Sequence, residues 1–493
     1  MWTPPERIKF PIGATQWPSA REASASRLYS PLDFQNLHLE QRTWVPAMVP
    51  WRATEGGEVT PAVLDWYGRF AAGQPGAIVV EATGIRDIPS GPLLRIGAPR
   101  FREGLSQLVE RVGRESKGKT RLFIQLIDFL PIKRRPLREK FIQRFLEITP
   151  EHYTRMEEIG FPCAREPLHG PIRTQIMQLD DSQEEQVLSR RELESLRFGY
   201  RERVDDLHLD SIRELPHVLP ELFSAAAREA ENVGFHGVEL HYAHAYTMAS
   251  FLSATNQRTD GYGGSREERV RLPSEVFQAV RNATSSSFAV GCRILGDEII
   301  SGGSRNSDAA AYAVEFAKRG MDFISISTGG KFEDASQPKV GHAAYPYTGQ
   351  SGYECMPSVR SDARGPFARN AHLAGAIRAQ LRNLDLMTPI VTAGGINSFE
   401  LAEELLNNET ADIIGAARQS LADPDWFLKM KDGDGESIRR CQFTNYCEAL
   451  DQQHKEVTCR LWDRVFEEGE NAPRTRDGKR RLTAPNRSAL KID

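Results

Sequence analysis

Eight short apolar runs, most of them followed by a helical pattern, constrain the fold more than anything else in the sequence. They fall at residues 44–48, 77–81, 122–126, 237–241, 289–294, 323–327, 389–392 and 413–416. Helical periodicity lies between them at 101–115, 219–232, 266–283, 309–319, 369–382 and 399–407. Strand and helix in alternation give a parallel sheet, and eight units predict closure into a (β/α)8 TIM barrel. An open, doubly wound sheet is the rival. It would carry a Gly-x-Gly-x-x-Gly turn after a strand, and none is present.

One spacing breaks the pattern. The third and fourth strands are separated by residues 127–236, far more than a βα unit needs. The stretch 133–207 is charged, with Arg-Arg and Glu-Glu pairs and proline breaks. The expectation is a barrel at 30–430 carrying an insertion at about 131–215, in front of it an arm at 1–29, irregular and rich in Pro, Ser and Arg, and behind it an extension at 431–493. The insertion leaves a strand C-terminus, the catalytic face of a barrel, so a lid over the pocket is expected. The last residues, 473–493, hold Arg474, Arg476, Lys479, Arg480, Arg481 and Arg487 with little apolar matter, which reads as a mobile basic tail.

Composition excludes several classes. A net charge of −4 gives no reason to expect nucleic acid or an acidic membrane surface as partner. No run of about 18 apolar residues is present, and the start has no leader-like core, so a cytoplasmic protein is expected. The six cysteines are sparse and mostly far apart, which suits reduced thiols. A homo-oligomer is left open.

The chemistry concentrates at 237–271. The fourth strand, Gly237-Val238-Glu239-Leu240, opens directly onto His241, His244 and Tyr246. Two imidazoles and a phenol at a strand exit suit an active-site floor; taken alone, they would equally suit ordinary hydrogen-bonded packing. The polar, glycine-rich stretch 256–265 that follows reads as an ordered surface loop, too polar for core.

Several separate motifs, in order and at matching spacing, resemble the Old Yellow Enzyme family of FMN-dependent oxidoreductases, which are (β/α)8 barrels. The resemblance runs from Ser30 to Trp426 and is nearest the enoate and dienoyl reductase branch. It implies that Ala47, Met48 and Val49 at the end of the first strand line the flavin. Where the family has a hydroxyl or thiol, Val49 has no donor, a loss on the order of 1.5–3 kcal/mol for the reduced ring. Ala82 implies a second flavin contact, and Gln125 an amide partner for the pyrimidine edge. The family's next histidine is replaced by Asp128 and its Gly-Arg pair is absent, which implies a pocket of different shape and charge on that side. His241 and His244 match the pair that holds a substrate carbonyl, Tyr246 the proton donor, and Arg293 the cation near flavin N1. Gly394, Gly395, Ala417 and Arg418 match the phosphate site at the last two strands.

The branch also carries a four-cysteine iron–sulfur site after the barrel. Here only Cys441, Cys447 and Cys459 stand at altered spacing, with Thr444 where a ligand would be, so no metal is expected. The resemblance therefore implies FMN, with NAD(P)H as electron donor, reducing the C=C bond of a small unsaturated carbonyl compound. The departures at Val49 and Asp128 and the long insertion motivate an alternative: a redox-neutral FMN-dependent isomerase or cyclase acting on an unsaturated ketone of specialised metabolism.

Overall fold

A computed structural model describes residues 12–329 apart from 163, 166 and 301, then 337–343, 365–451 and 453–462, with 475, 476, 478 and 484. A short antiparallel hairpin, β1 (Leu32–Phe34) and β2 (Leu37–Leu39), precedes the barrel. Eight parallel strands then close on themselves in chain order: β3 (Thr43–Val45), β4 (Ala77–Gly84), β5 (Arg121–Ile127), β6 (Gly237–Tyr242), β7 (Ala289–Leu295), β8 (Ile324–Ser327), β9 (Ile390–Ala393) and β10 (Ile413–Gly415). β10 pairs back onto β3, so the closed TIM barrel expected from the eight runs forms.

The barrel has a packed end and an open end. At the packed end Trp44, Phe123 and Phe323 meet inside with ring centroids 5.0–5.5 Å apart. Gly291 makes this layer fit, because a Cβ there would lie 2.4–2.5 Å from the Phe323 ring. Leu32, Leu37 and Leu39 of the hairpin join the same cluster and plug the N-terminal mouth. Only the C-terminal mouth is left for a ligand.

A bulge decides what β4 presents there. Ala77 and Val79 pack inside the barrel, and strict alternation would send Glu81 the same way. The β4/β5 register shifts between Val80 and Ala82, so Ala82 faces the open mouth while Glu81 points outward. There Glu81 accepts from the Tyr67 hydroxyl at 3.0 Å, and burial pushes its carboxyl up to about 8. Tyr67 lies on the helix Pro61–Ala72, capped by Thr60 with Pro61 in its first turn. The apolar-run reading passed over this helix, although its Thr-Pro start was a legible signal.

The insertion is a small helical unit, with helices Pro150–Glu158, Gly170–Ile176, Asp181–Val187 and Arg190–Phe198. It has its own core, separate from the barrel's, around Phe141, Ile142, Met156, Ile172 and Val187. It hangs on a two-stranded neck after β5, where Lys133 N–H donates to Tyr200 O at 2.7 Å and Glu202 N–H to Pro131 O at 3.1 Å. Gly199 sits in that neck at φ +94, where a Cβ would overlap Lys133 O.

Three local expectations need correction. The arm is not irregular throughout: Ser19 and Glu22 form a reciprocal capping box on the helix Ala20–Ala25, and Ser19-x-x-Glu22 was the signal for it. The loop 256–265 is not too polar for core: Arg258 is buried and donates to Val204 O and Ile212 O, while Asn256 bonds Phe251 O and Tyr262 O. Arg476, expected on a mobile tail, donates to Trp51 O at 2.6 Å and pairs with Glu55 at 3.1 Å. The other tail cations, Arg474, Lys479, Arg480, Arg481 and Arg487, lie outside the described residues, as do Cys163 and Cys355. No helix among the described residues is long and apolar enough to cross a membrane.

Candidate active site

A cavity of about 280 Å³ opens at the C-terminal mouth. Its floor follows from strand register. On β6 the inward positions are Gly237, Glu239 and His241, and on β7 they are Ala289, Gly291 and Arg293, with His241 directly beside Arg293. On β5 they are Phe123 and Gln125, and Gln125 stands beside Glu239. The two-residue period thus raises Gln125, Glu239, His241 and Arg293 above the aromatic layer.

Beyond β6 the chain turns through two left-handed residues, His244 (φ 61) and Ala245 (φ 55). Such backbone in residues with a Cβ is uncommon and clusters at functional sites. The turn folds His244 and Tyr246 back over the strand end, so the His241 ring lies 5.2 Å from His244 and 5.4 Å from Tyr246. Phe129 meets the Tyr246 ring edge-on at 5.4 Å.

Burial holds both imidazoles neutral. For His241 it drives the pKa well below the ordinary value, with the neighbouring His244 and Arg293 adding to it. For His244 burial, then Arg293, lowers it to about 3. The Ala243 N–H donates to His241 Nδ1 at 3.3 Å, so the proton of the neutral ring sits on Nε2. His244 is positioned through Nε2 by the Ser327 hydroxyl at 2.8 Å.

Below them lies a buried polar network. The Gln125 amide donates to Glu239, whose carboxylate stands 3.4 Å from Arg293 Nε. Burial raises the Glu239 carboxyl while Arg293 and Gln125 pull it down, and its Oε2 has no hydrogen-bond partner among the described residues. Arg293 makes no hydrogen bond to the described residues and lines the cavity. Sequence reading passed over Glu239; the signal was a carboxylate two places before His241 in an otherwise apolar strand.

Ala47, Met48, Val49 and Ala82 line one wall of the cavity, and Ala417 and Arg418 another. Arg418 is already engaged: it donates to Asn445 Oδ1 at 2.6 Å, pairs with Glu448 at 3.4 Å and lies over the Phe443 ring. Gly394 and Gly395 adopt the left-handed φ values +119 and +74 on the neighbouring loop, but they do not line the cavity. A Cβ at Gly395 would strike Pro366 O, so that glycine serves close backbone packing.

Asp128 itself does not line the cavity. It turns away, is bound by Arg86 Nε at 2.6 Å and is buried, which raises its carboxyl. The shape on that side is set by Phe129. The C-terminal extension also contributes: Cys447, Glu448, Asp451 and Val457 close the rim, and Asp451 accepts from Trp51 Nε1 at 2.6 Å. Cys441, Cys447 and Cys459 are free, and burial pushes all three thiols up, the last to about 12.

Residues 211–436 match the sequence model of the NADH:flavin oxidoreductase / NADH oxidase family. The chain is 25% identical to the NADH oxidase of Thermoanaerobacter brockii over 84% of its own length and 52% of that protein's, so it spans about half the length of this relative. It is 27% identical to the NADPH dehydrogenase of Halalkalibacterium halodurans over 81% of its length and 92% of that protein's. A solved 2-naphthoyl-CoA reductase, at 18% identity, shares the fold over 88% of this chain and 56% of its own, with a TM-score of 0.62.

Proposed function

We propose that this chain, whose residues 211–436 match the model of the NADH:flavin oxidoreductase / NADH oxidase family, binds FMN and uses NAD(P)H to reduce the activated C=C bond of an α,β-unsaturated carbonyl compound. The observation that carries the reading is a buried cation, Arg293, set beside two neutral imidazoles and a phenol at the mouth of the barrel.

The lining residues fit an FMN. Arg293 makes no hydrogen bond among the described residues beyond its ion pair with Glu239, so its guanidinium can face an electron-rich ring edge. The small side chains Ala47 and Ala82, with Met48 and Val49, leave room for a flat ring, and Gln125 would meet its polar edge. Arg418 would exchange Asn445 and Glu448 for the phosphate, with the Gly394-Gly395 loop and Ala417 beside it. When bound and reduced, FMN supplies a hydride.

The remaining work falls to the chain's own side chains. His241 Nε2–H, its tautomer fixed by the Ala243 amide, donates to the substrate carbonyl oxygen. His244, steadied by Ser327, is the second group at that oxygen. Because both rings are neutral, they stabilise charge that develops on the oxygen without giving up a proton to it. Tyr246 delivers the proton to the α-carbon. Phe129, packed on the Tyr246 ring, holds the phenol in place.

The test is the visible spectrum of the purified protein, before and after NADPH is added without oxygen. A flavin band that bleaches with NADPH and recovers with an enone supports the reading. A band that does not bleach, with turnover of an unsaturated ketone that needs no nicotinamide, overturns it in favour of the isomerase or cyclase. The residue behind that second reading is Val49, which lines the cavity without offering a donor to a reduced ring.

A further inference from the structure

A second cavity, of about 550 Å³, lies behind Tyr246. Among the described residues Tyr246 alone lines both spaces, so it stands between them. The partition is thin along the chain as well: Phe129 lines the inner space, and the next residue, Leu130, lines the outer one. The insertion builds the outer wall from the return strand of its neck, Arg201, Glu202 and Arg203. The facing wall comes from the chain after β6, with Ser250, Thr255 and Gln257.

The two spaces differ in chemistry. The inner one is walled mainly by Ala47, Met48, Val49, Ala82 and Phe129 around a few directed polar groups. The outer one presents donors and acceptors on every side. Its charges balance, with Arg190, Arg201 and Arg203 against Glu202, Asp205 and Glu298. Several are already matched: Arg203 grips Glu194 through Nη2 at 2.7 Å, and Glu298 accepts from Ser253 at 3.0 Å. The Nε of Arg203 is buried without an acceptor among the described residues. A balanced, hydrogen-bonding cavity does not favour an alkyl chain, which would strand these groups, nor a polyanion, which would meet three carboxylates. It favours an uncharged group rich in hydroxyls or amides.

We propose that the outer cavity is a second substrate subsite, which receives a neutral hydroxyl- or amide-bearing portion of a molecule whose unsaturated carbonyl end lies in the inner cavity. The proposal rests on the proposed reaction for the identity of that inner end. The substrate is therefore two-ended, and it passes Tyr246 on the way from one space to the other. The insertion acts here as a specificity wall.

The test is equilibrium binding to the oxidised FMN-loaded protein, read from the shift of the flavin absorbance, so that no turnover is needed. Two probes are compared: 2-cyclohexen-1-one, and a cyclohexenone bearing a short hydroxyl- and amide-containing tail. Wild type should bind the tailed probe at least tenfold more tightly. Thr255→Trp and Gln257→Trp both fill the outer cavity from exposed positions. Each should abolish that preference while leaving the Kd of the plain probe within twofold. Equal Kd values for the two probes in wild type overturn the proposal, and so does a preference that survives both variants. A loss seen in the rate of NADPH bleaching, with the tail preference intact, also overturns it and assigns the space to the nicotinamide donor. Tail-dependent binding without any enone turnover keeps the subsite and sinks only the reductase reading.

Discussion

At the scale of single residues, the cavity floor sets two neutral imidazoles beside the Arg293 cation. His244 ionises near 6.5 in an unfolded chain but only at about 3 in the fold. Between those values the unfolded state binds the extra proton, so stability rises with pH there. The contribution is complete above about pH 7 and is lost as pH falls from about 6.5 toward 3. Replacing His244 with Gln should flatten the acid limb of a pH–urea stability curve by up to a few kcal/mol, and an unchanged limb would show that the ring is solvated. Tyr246→Phe removes the proposed proton donor and keeps the ring. Enone reduction should slow by about 10²–10⁴ in stopped flow while bleaching by NADPH keeps its rate. His241, His244 and Tyr246 were legible as residues, because the motif that carries them is contiguous. Glu239 was not, since a strand carboxylate acquires meaning only once Gln125 and Arg293 are known to flank it.

At the scale of elements, two close fits hold the site's supports. Gly291 lets Phe323 enter the barrel between Trp44 and Phe123. Gly291→Ala forces a Cβ into a ring that is fully buried and has nowhere to turn, so a loss of about 1–3 kcal/mol is expected from the urea midpoint. Arg258 ties the loop after β6 to the exit of the insertion through Val204 O, Ile212 O and Asp260. Arg258→Met leaves those carbonyls and a carboxylate without their donor, and should cost about 3–5 kcal/mol of stability by thermal melting. Periodicity announced most strands and helices, because each packs one regular face against the barrel. The helix Pro61–Ala72 and the helix Ala20–Ala25 were announced by their capping residues instead.

At the scale of the whole molecule, the insertion and the barrel keep separate cores. Replacing residues 134–199 by a short Gly-Ser link across the neck should therefore leave FMN binding intact. It should also open the outer cavity, so the tailed cyclohexenone should lose its advantage in the same absorbance titration. Failure of this shortened chain to take up FMN would mean that the contacts of Arg135 with Pro338 and His342 are needed to hold the loop after β8.

The sequence by itself determined the closed eight-stranded cylinder, the strand ends that bear the reactive side chains and the size of the insertion. Those follow from local alternation and from short contiguous motifs, which a chain displays before it folds. Only tertiary structure decided the rest. The bulge that turns Glu81 out and Ala82 in depends on pairing with β5. Capture of Arg418 by Asn445 and Glu448 depends on the extension returning across the barrel mouth. The second cavity exists because the neck of the insertion stands opposite the chain that follows β6. Each is a meeting of segments far apart in the chain, and spacing along a single strand of sequence carries no record of such meetings.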